Sequence, residues 1–146
     1  MSKTYTYNYC PVNGVTVAVI EDKKNNIGVV GKAFCHPEDK DYCSELTGTH
    51  IAHQRAEIKY CYARIAQLKK EKKPFENFYK GLAQSKQFNK HSYEARQLRK
   101  KIYQFDDEIY FYKKYAKRLE EDVENYINKK QVLYTQLRKN GQKKEK

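Results

Sequence analysis

The side chains best suited to chemistry crowd into one short stretch. Cys35, His36, Cys43, His50 and His53 lie within nineteen residues, and Arg55 follows at once. Thiols and imidazoles at this density raise two possibilities, a metal site and a nucleophilic site. Zinc sites usually draw on closely paired ligands such as Cys-x2-Cys. The chain has no such pair, and His50 with His53 is the only ligand-like spacing. Cys35 and His36 are neighbours at the end of a strand-like run, where successive side chains point to opposite faces, so the imidazole cannot serve the thiol as a base. There is no Gly-x-Ser-x-Gly elbow and no Gly-x4-Gly-Lys-Ser phosphate loop. The residues therefore predict no catalytic centre, no metal and no cofactor, and a protein that is not an enzyme.

Phosphate chemistry is better represented. The chain carries 30 Lys+Arg against 18 Asp+Glu, a net charge of +12, and a field of that sign attracts anions. Arg55 sits on an apolar helical seam between Ile51 and Ile58, where a guanidinium needs a partner. Arg96, Arg99 and Arg118 fall on a later helix, with Tyr93, Tyr103, Tyr110 and Phe111 interleaved. Arginine can grip phosphate through two parallel bonds, and an aromatic face can stack on a base. We expect Arg55, Arg96, Arg99 and Arg118 to hold phosphates, and Phe88, Tyr93 or Tyr103 to stack. His36 and Asn89 are expected to read sugar or base edges.

These residues need a frame. Residues 4 to 10 alternate strictly, with Tyr5, Tyr7 and Tyr9 on one side, which predicts a strand. Asn13-Gly14 is a hairpin signal. Residues 15–22 and 27–36 predict two more strands, the last with Gly28 and Gly31 at a bulge or a close backbone approach. A three-stranded antiparallel sheet needs a layer against its apolar face. A helix over 44–73, capped by Ser44 or Thr49 and ending before Pro74, supplies one. Ile51, Ile58, Tyr62 and Ile65 form its expected stripe.

Residues 74–90 form an aromatic connection. From Phe88 a three-four step then runs through Ala95, Leu98, Ile102, Phe105, Ile109, Tyr112, Ala116, Leu119, Val123 and Tyr126 to Leu133 and Leu137. That predicts one long helix over 88–139 with a coiled-coil seam, followed by a flexible tail over 140–146. A first helix of about 25 residues cannot cover such a seam, so a second copy is expected to. Glu94 with Arg99, Lys101 with Asp106, and Glu108 with Lys113 would be attractive pairs across a parallel dimer. The fold class expected is α+β, a single oligomeric domain over 1–146. No apolar run approaches the length of a membrane span, and the opening MSKTYTYNYC lacks the apolar core of a secretory leader. A cytoplasmic protein with its four cysteines reduced is expected.

One stretch has a familiar form. A strand ends in Cys35-His36-Pro37-x-Asp39, and a helix then carries Gly48-x2-Ile51-Ala52-x2-Arg55-Ala56-x2-Lys59. This resembles small proteins of phages that infect Firmicutes. Ahead of a long helical half, it looks most like the phage anti-Thoeris sponge family. The resemblance covers residues 14–65 by motif and 75–139 by architecture alone. It implies a homo-oligomer, a dimer or a multiple of dimers. Such a protein sequesters a cyclic ADP-ribose isomer, an immune signal, between subunits without cleaving it, and some members also hold cyclic oligonucleotides. The rival readings are a basic coiled-coil protein that binds nucleic acid and a purely structural phage protein.

Overall fold

The computed structural model describes residues 3–36, 39 and 43–144, with side chains through 141. Three strands, β1 (Lys3–Cys10), β2 (Val15–Asp22) and β3 (Ile27–Phe34), are followed by two helices, α1 (Glu45–Ala83) and α2 (Tyr93–Lys144). The α+β class is as the sequence predicts. The sheet is an antiparallel meander in the order β1-β2-β3.

Both hairpins rest on local turn chemistry. Gly14 adopts a left-handed φ of 67°, and its N–H donates to the Cys10 carbonyl at 2.9 Å. A side chain would be strained at such an angle, so glycine suits the position. In the second turn Asn26 takes φ 53°, an angle asparagine tolerates better than most residues. Asp22 anchors that turn from a buried position. Its carboxylate accepts from the Asn25 backbone and side chain and from the Tyr60 hydroxyl of α1.

The register sorts the strand residues onto two faces. Tyr5, Tyr7 and Tyr9 pair with Ile20, Ala18 and Thr16, which pair onward with Val29, Gly31 and Ala33. This is the face that α1 covers. The Tyr5 hydroxyl donates to Glu57 at 2.8 Å, and the Tyr7 hydroxyl lies 2.7 Å from His53 Nδ1. Burial and the nearby Glu57 carboxylate raise the Tyr7 phenol above its ordinary pKa. Gly31 is where sheet and helix meet most closely. A Cβ there would lie 2.2 Å from the Ala52 carbonyl oxygen and 2.3 Å from the Ala56 nitrogen. Gly31 thus fulfils the predicted close approach. The β2–β3 register is continuous, so there is no bulge.

Helix α1 begins as predicted at Ser44, whose Oγ accepts from the Thr47 N–H at 3.1 Å. It differs from expectation at its other end. It continues through Pro74 to Ala83, 39 residues in all. The proline removes one backbone bond and crowds the preceding turn. Contacts on both sides of it with α2 offset that cost. Lys72 bonds Asp106 at 2.6 Å, and the Phe75 and Phe105 rings lie 5.6 Å apart. The predicted connection over 74–90 is therefore shorter, from residue 84 to residue 92. Helix α2 begins at Tyr93, five residues later than expected. Ser92 caps it by accepting from Ala95 N–H at 3.2 Å. The tail expected over 140–146 is helical as far as Lys144; residues 145 and 146 lie outside the described set.

The chain divides into two compact units. One is Met1–Tyr60 with Ala116–Lys146, and the other is Cys61–Tyr115. In the second, Ile65 and Leu68 of α1 bury against Phe105 and Ile109 of α2, with Phe75 and Tyr112 packed at the edge. In the first, Ala116, Leu119 and Val123 of α2 are buried, and Tyr126 meets the His50 ring of α1 at 4.2 Å. The α2 seam thus finds its partners in the same copy of the chain. Two charges assigned to a parallel dimer are used the same way, Asp106 by Lys72 and Glu108 by Arg64.

Burial also departs from the predicted stripes. On α1 it follows Ala52, Ala56, Tyr60, Cys61, Ile65 and Leu68, and Tyr62 is exposed. On α2 Tyr134 is buried in place of Leu133. A straight helix drifts about 20° per heptad from a strict seven-residue repeat. Over five heptads the buried face moves on by about one residue.

Candidate functional site

A cavity of about 440 Å³ opens in the first unit. Tyr9, Thr16 and Ala33 of the sheet form its floor, and the end of β3 contributes Phe34, Cys35 and His36. One side comes from the first turns of α1, with Thr47, Gly48, Ile51 and Arg55. The other comes from α2, with Ile127, Lys130, Gln131 and Tyr134. A volume of this size accommodates a drug-sized molecule.

Its wall combines cations and aromatic faces. Arg55 donates to the Lys32 carbonyl at 2.8 Å, which supplies the partner its place on the seam called for. A guanidinium has five N–H donors, so most of its capacity remains uncommitted to described residues. Lys130 lies 5.6 Å from the Tyr126 ring centroid. Tyr9, Phe34 and Tyr134 provide aromatic surface. The one described carboxylate in the lining, Asp39, is engaged by Arg138 of α2. Thr16 adds a further feature. It is fully buried, yet its Oγ1 has no hydrogen-bond partner among the described residues. A buried hydroxyl left unpaired costs on the order of 1–3 kcal/mol, and a ligand in the cavity could relieve that.

The two cysteines of the cavity wall are joined. Cys35 and Cys43 form a disulfide, with a Cα separation of 6.2 Å, inside the range such bonds span. This departs from the four reduced thiols expected from composition; Cys10 and Cys61 are not disulfide-bonded. The strand end and the first turn before α1 bring the pair together, which sequence spacing alone does not disclose. With the thiols bonded to each other, the five chemical residues of the opening stretch split up. His50 packs on Tyr126, and His53 sits between Tyr5 and Tyr7. Among the described residues, no group of three His, Cys, Asp or Glu is arranged to hold a metal.

Of the nine binding residues expected from sequence, Arg55 and His36 line this cavity. Arg118 belongs to the same unit but lies on the exposed side of α2. Phe88, Asn89, Tyr93, Arg96, Arg99 and Tyr103 belong to the second unit. There Phe88 packs edge-on against Tyr79, and Arg99 donates to the Tyr79 hydroxyl. Asn89 Oδ1 accepts from the His91 N–H, a turn role. Tyr93, Arg96 and Tyr103 are exposed. Sequence reasoning missed Tyr134, Gln131 and Thr16. Tyr134 was detectable in principle, four residues after Lys130 and seven after Ile127 on a 3.6-residue period. Among the described residues, no helix is long and apolar enough to cross a membrane. Comparison with known proteins finds no matching family model, no matching curated protein and no matching solved structure.

Proposed function

We propose that this protein binds a small phosphorylated nucleotide in the cavity of its first unit and holds it without transforming it. One observation carries the reading: a cavity of about 440 Å³ brings Arg55 and Lys130 beside Tyr9, Phe34 and Tyr134. Cations meet phosphate and aromatic faces meet a base, while the Thr16 hydroxyl awaits a polar partner. The anti-Thoeris resemblance names the ligand class, a cyclic ADP-ribose isomer, and the setting, a phage protein that sequesters an immune signal inside the host cell. In this reading the protein acts by mass balance, so tight binding and slow release matter and a catalytic group does not.

Isothermal titration with cyclic ADP-ribose, or an isomer of it, tests the proposal. Arg55→Lys keeps the charge but loses the planar fork, and Tyr134→Ala removes one aromatic wall. Charge-assisted hydrogen bonds contribute about 1.5–3 kcal/mol, so each variant is expected to weaken binding about 10-fold or more. Ligand recovered from the complex should be chemically unchanged. Affinity indifferent to both substitutions, or ligand returned cleaved, would end this reading.

We propose also that copies of the chain associate, through the sheet rather than the α2 seam. The sheet's outer face carries Val15, Val17 and Val19 on β2 with Val30 and Phe34 on β3, and Phe34 is 69% exposed. An apolar sheet face calls for a covering layer. Phe34 also borders the cavity, so a partner seated there would stand beside the ligand.

A further inference from the structure

The cavity does not use the aromatic residues of the second unit. Tyr93, Tyr103, Tyr110 and Phe111 are each between 61% and 67% exposed. Spaced ten, seven and one residues apart, they fall on one side of α2, opposite Phe105, Ile109 and Tyr112, which face α1. Arg96, Lys100 and Lys114 share that outer side and are exposed too. The segment Cys61–Tyr115 holds 14 Lys and Arg against 6 Asp and Glu, a net +8 of the chain's +12. Two of those acids, Asp106 and Glu108, are paired with Lys72 and Arg64 of α1. Asp107 is exposed on the aromatic side.

We propose that this outer strip of α2, from Tyr93 to Lys114, is a docking surface for single-stranded nucleic acid. Bases stack on exposed rings whatever their sequence, and cations between the rings neutralise the backbone. Helical rise places Tyr103 and Tyr110 about 10 Å apart along the axis, so an extended strand can lay separate bases on the two rings. Charge decides against the other natural occupant. In a symmetric pair built on this strip, Arg96, Lys100 and Lys114 would confront their own equivalents. The outer sheet face differs, carrying one Lys32 and one Glu21 among its valines. The strip is independent of the nucleotide cavity, since no strip residue lines it.

Fluorescence anisotropy of the full chain with a labelled single-stranded oligonucleotide of about 20 bases tests the proposal. Binding is expected at about 50 mM salt and should weaken steeply by about 200 mM. Tyr103→Ala with Tyr110→Ala should weaken it at least about 10-fold, since each stacked ring contributes about 1–3 kcal/mol, and should leave the salt slope unchanged. Arg96→Ala with Lys114→Ala should flatten the slope by about 1.4, about 0.7 for each lost phosphate contact. Asp107→Asn should tighten binding. The residues are exposed, so melting temperature should not move, and Arg55→Lys should leave oligonucleotide affinity intact. No binding at low salt would overturn the proposal. So would affinity unmoved by the tyrosine pair, or tyrosine variants that change only the sedimentation mass, which would mark the strip as a contact between copies.

Discussion

At the residue scale, small and buried positions decide more than the reactive ones that first draw attention. Gly31 has no chemistry, yet the whole approach of α1 to the sheet depends on it. A methyl group there would overlap backbone atoms of Ala52 and Ala56, and backbone cannot swing aside as a side chain can. Overpacking of this kind typically costs about 1–3 kcal/mol and sometimes more. Gly31→Ala is therefore expected to lower the urea midpoint by that equivalent and to open the cavity floor. Gly28→Ala, with nothing within 4 Å of the added carbon, is the matched control and should change stability little. Lys72 makes a second residue-scale case. Its hydrogen bond to Asp106 raises its pKa above the usual lysine range. A raised folded-state pKa means the contribution is complete below the unfolded value, about 10.4, and fades as pH climbs through the folded one. Burial, with the Glu108 carboxylate, likewise raises the Tyr112 phenol. Melting temperature should thus show no pH dependence from these groups between about pH 7 and 9, where their contribution is complete, and should fall above about pH 10. In Lys72→Met the alkaline fall should be shallower.

At the element scale, the central event is the passage of α1 through Pro74. Proline in a helix interior is about 3 kcal/mol less favourable than alanine, which is why the sequence points to a stop there. The extra turns to Ala83 exist because Lys72, Phe75 and Tyr79 all find partners in the second unit. Pro74→Ala is expected to raise the melting temperature by several degrees, equivalent to about 1–3 kcal/mol. An unchanged melting temperature would mean that the helix bends at this point so as to relieve the proline. The same contacts explain why the heptad was legible as a helix but not as an interface. A stripe of Ala95, Phe105, Ile109 and Leu119 demands an apolar partner without specifying whose chain provides it. Here α1 of the same chain provides it, with Ile65 and Leu68 against Phe105 and Ile109.

At the scale of the whole molecule, the proposed association turns on net charge and on the outer face of the sheet. A chain at +12 repels its own kind over most of its surface. The outer sheet face, with one charge of each sign among valines, is where that repulsion is weakest. Sedimentation equilibrium is expected to return about twice the 17.4 kDa of the chain at micromolar concentration. Val17→Glu should return the single-chain mass while leaving circular dichroism unchanged. A single-chain mass for the unsubstituted protein would remove the proposal of association.

The amino-acid sequence by itself determined the elements that depend on near neighbours. Alternation in TYTYNYC, the Asn13-Gly14 turn, a cap at Ser44 and the long apolar period read from Phe88 are all local, and each is present, with α2 starting at Tyr93. Only the tertiary structure decided where α1 ends, which residues of each stripe are buried, that Cys35 joins Cys43, and which cations share a cavity. Those outcomes turn on contacts between residues far apart in the chain, and a local propensity such as that of Pro74 yields when enough of them act together. Arg55 was legible because a charge on an apolar seam must be answered nearby. Thr16 was not, because what marks it is the space it encloses, and Tyr134 was legible only through the helical period that links it to Lys130 and Ile127.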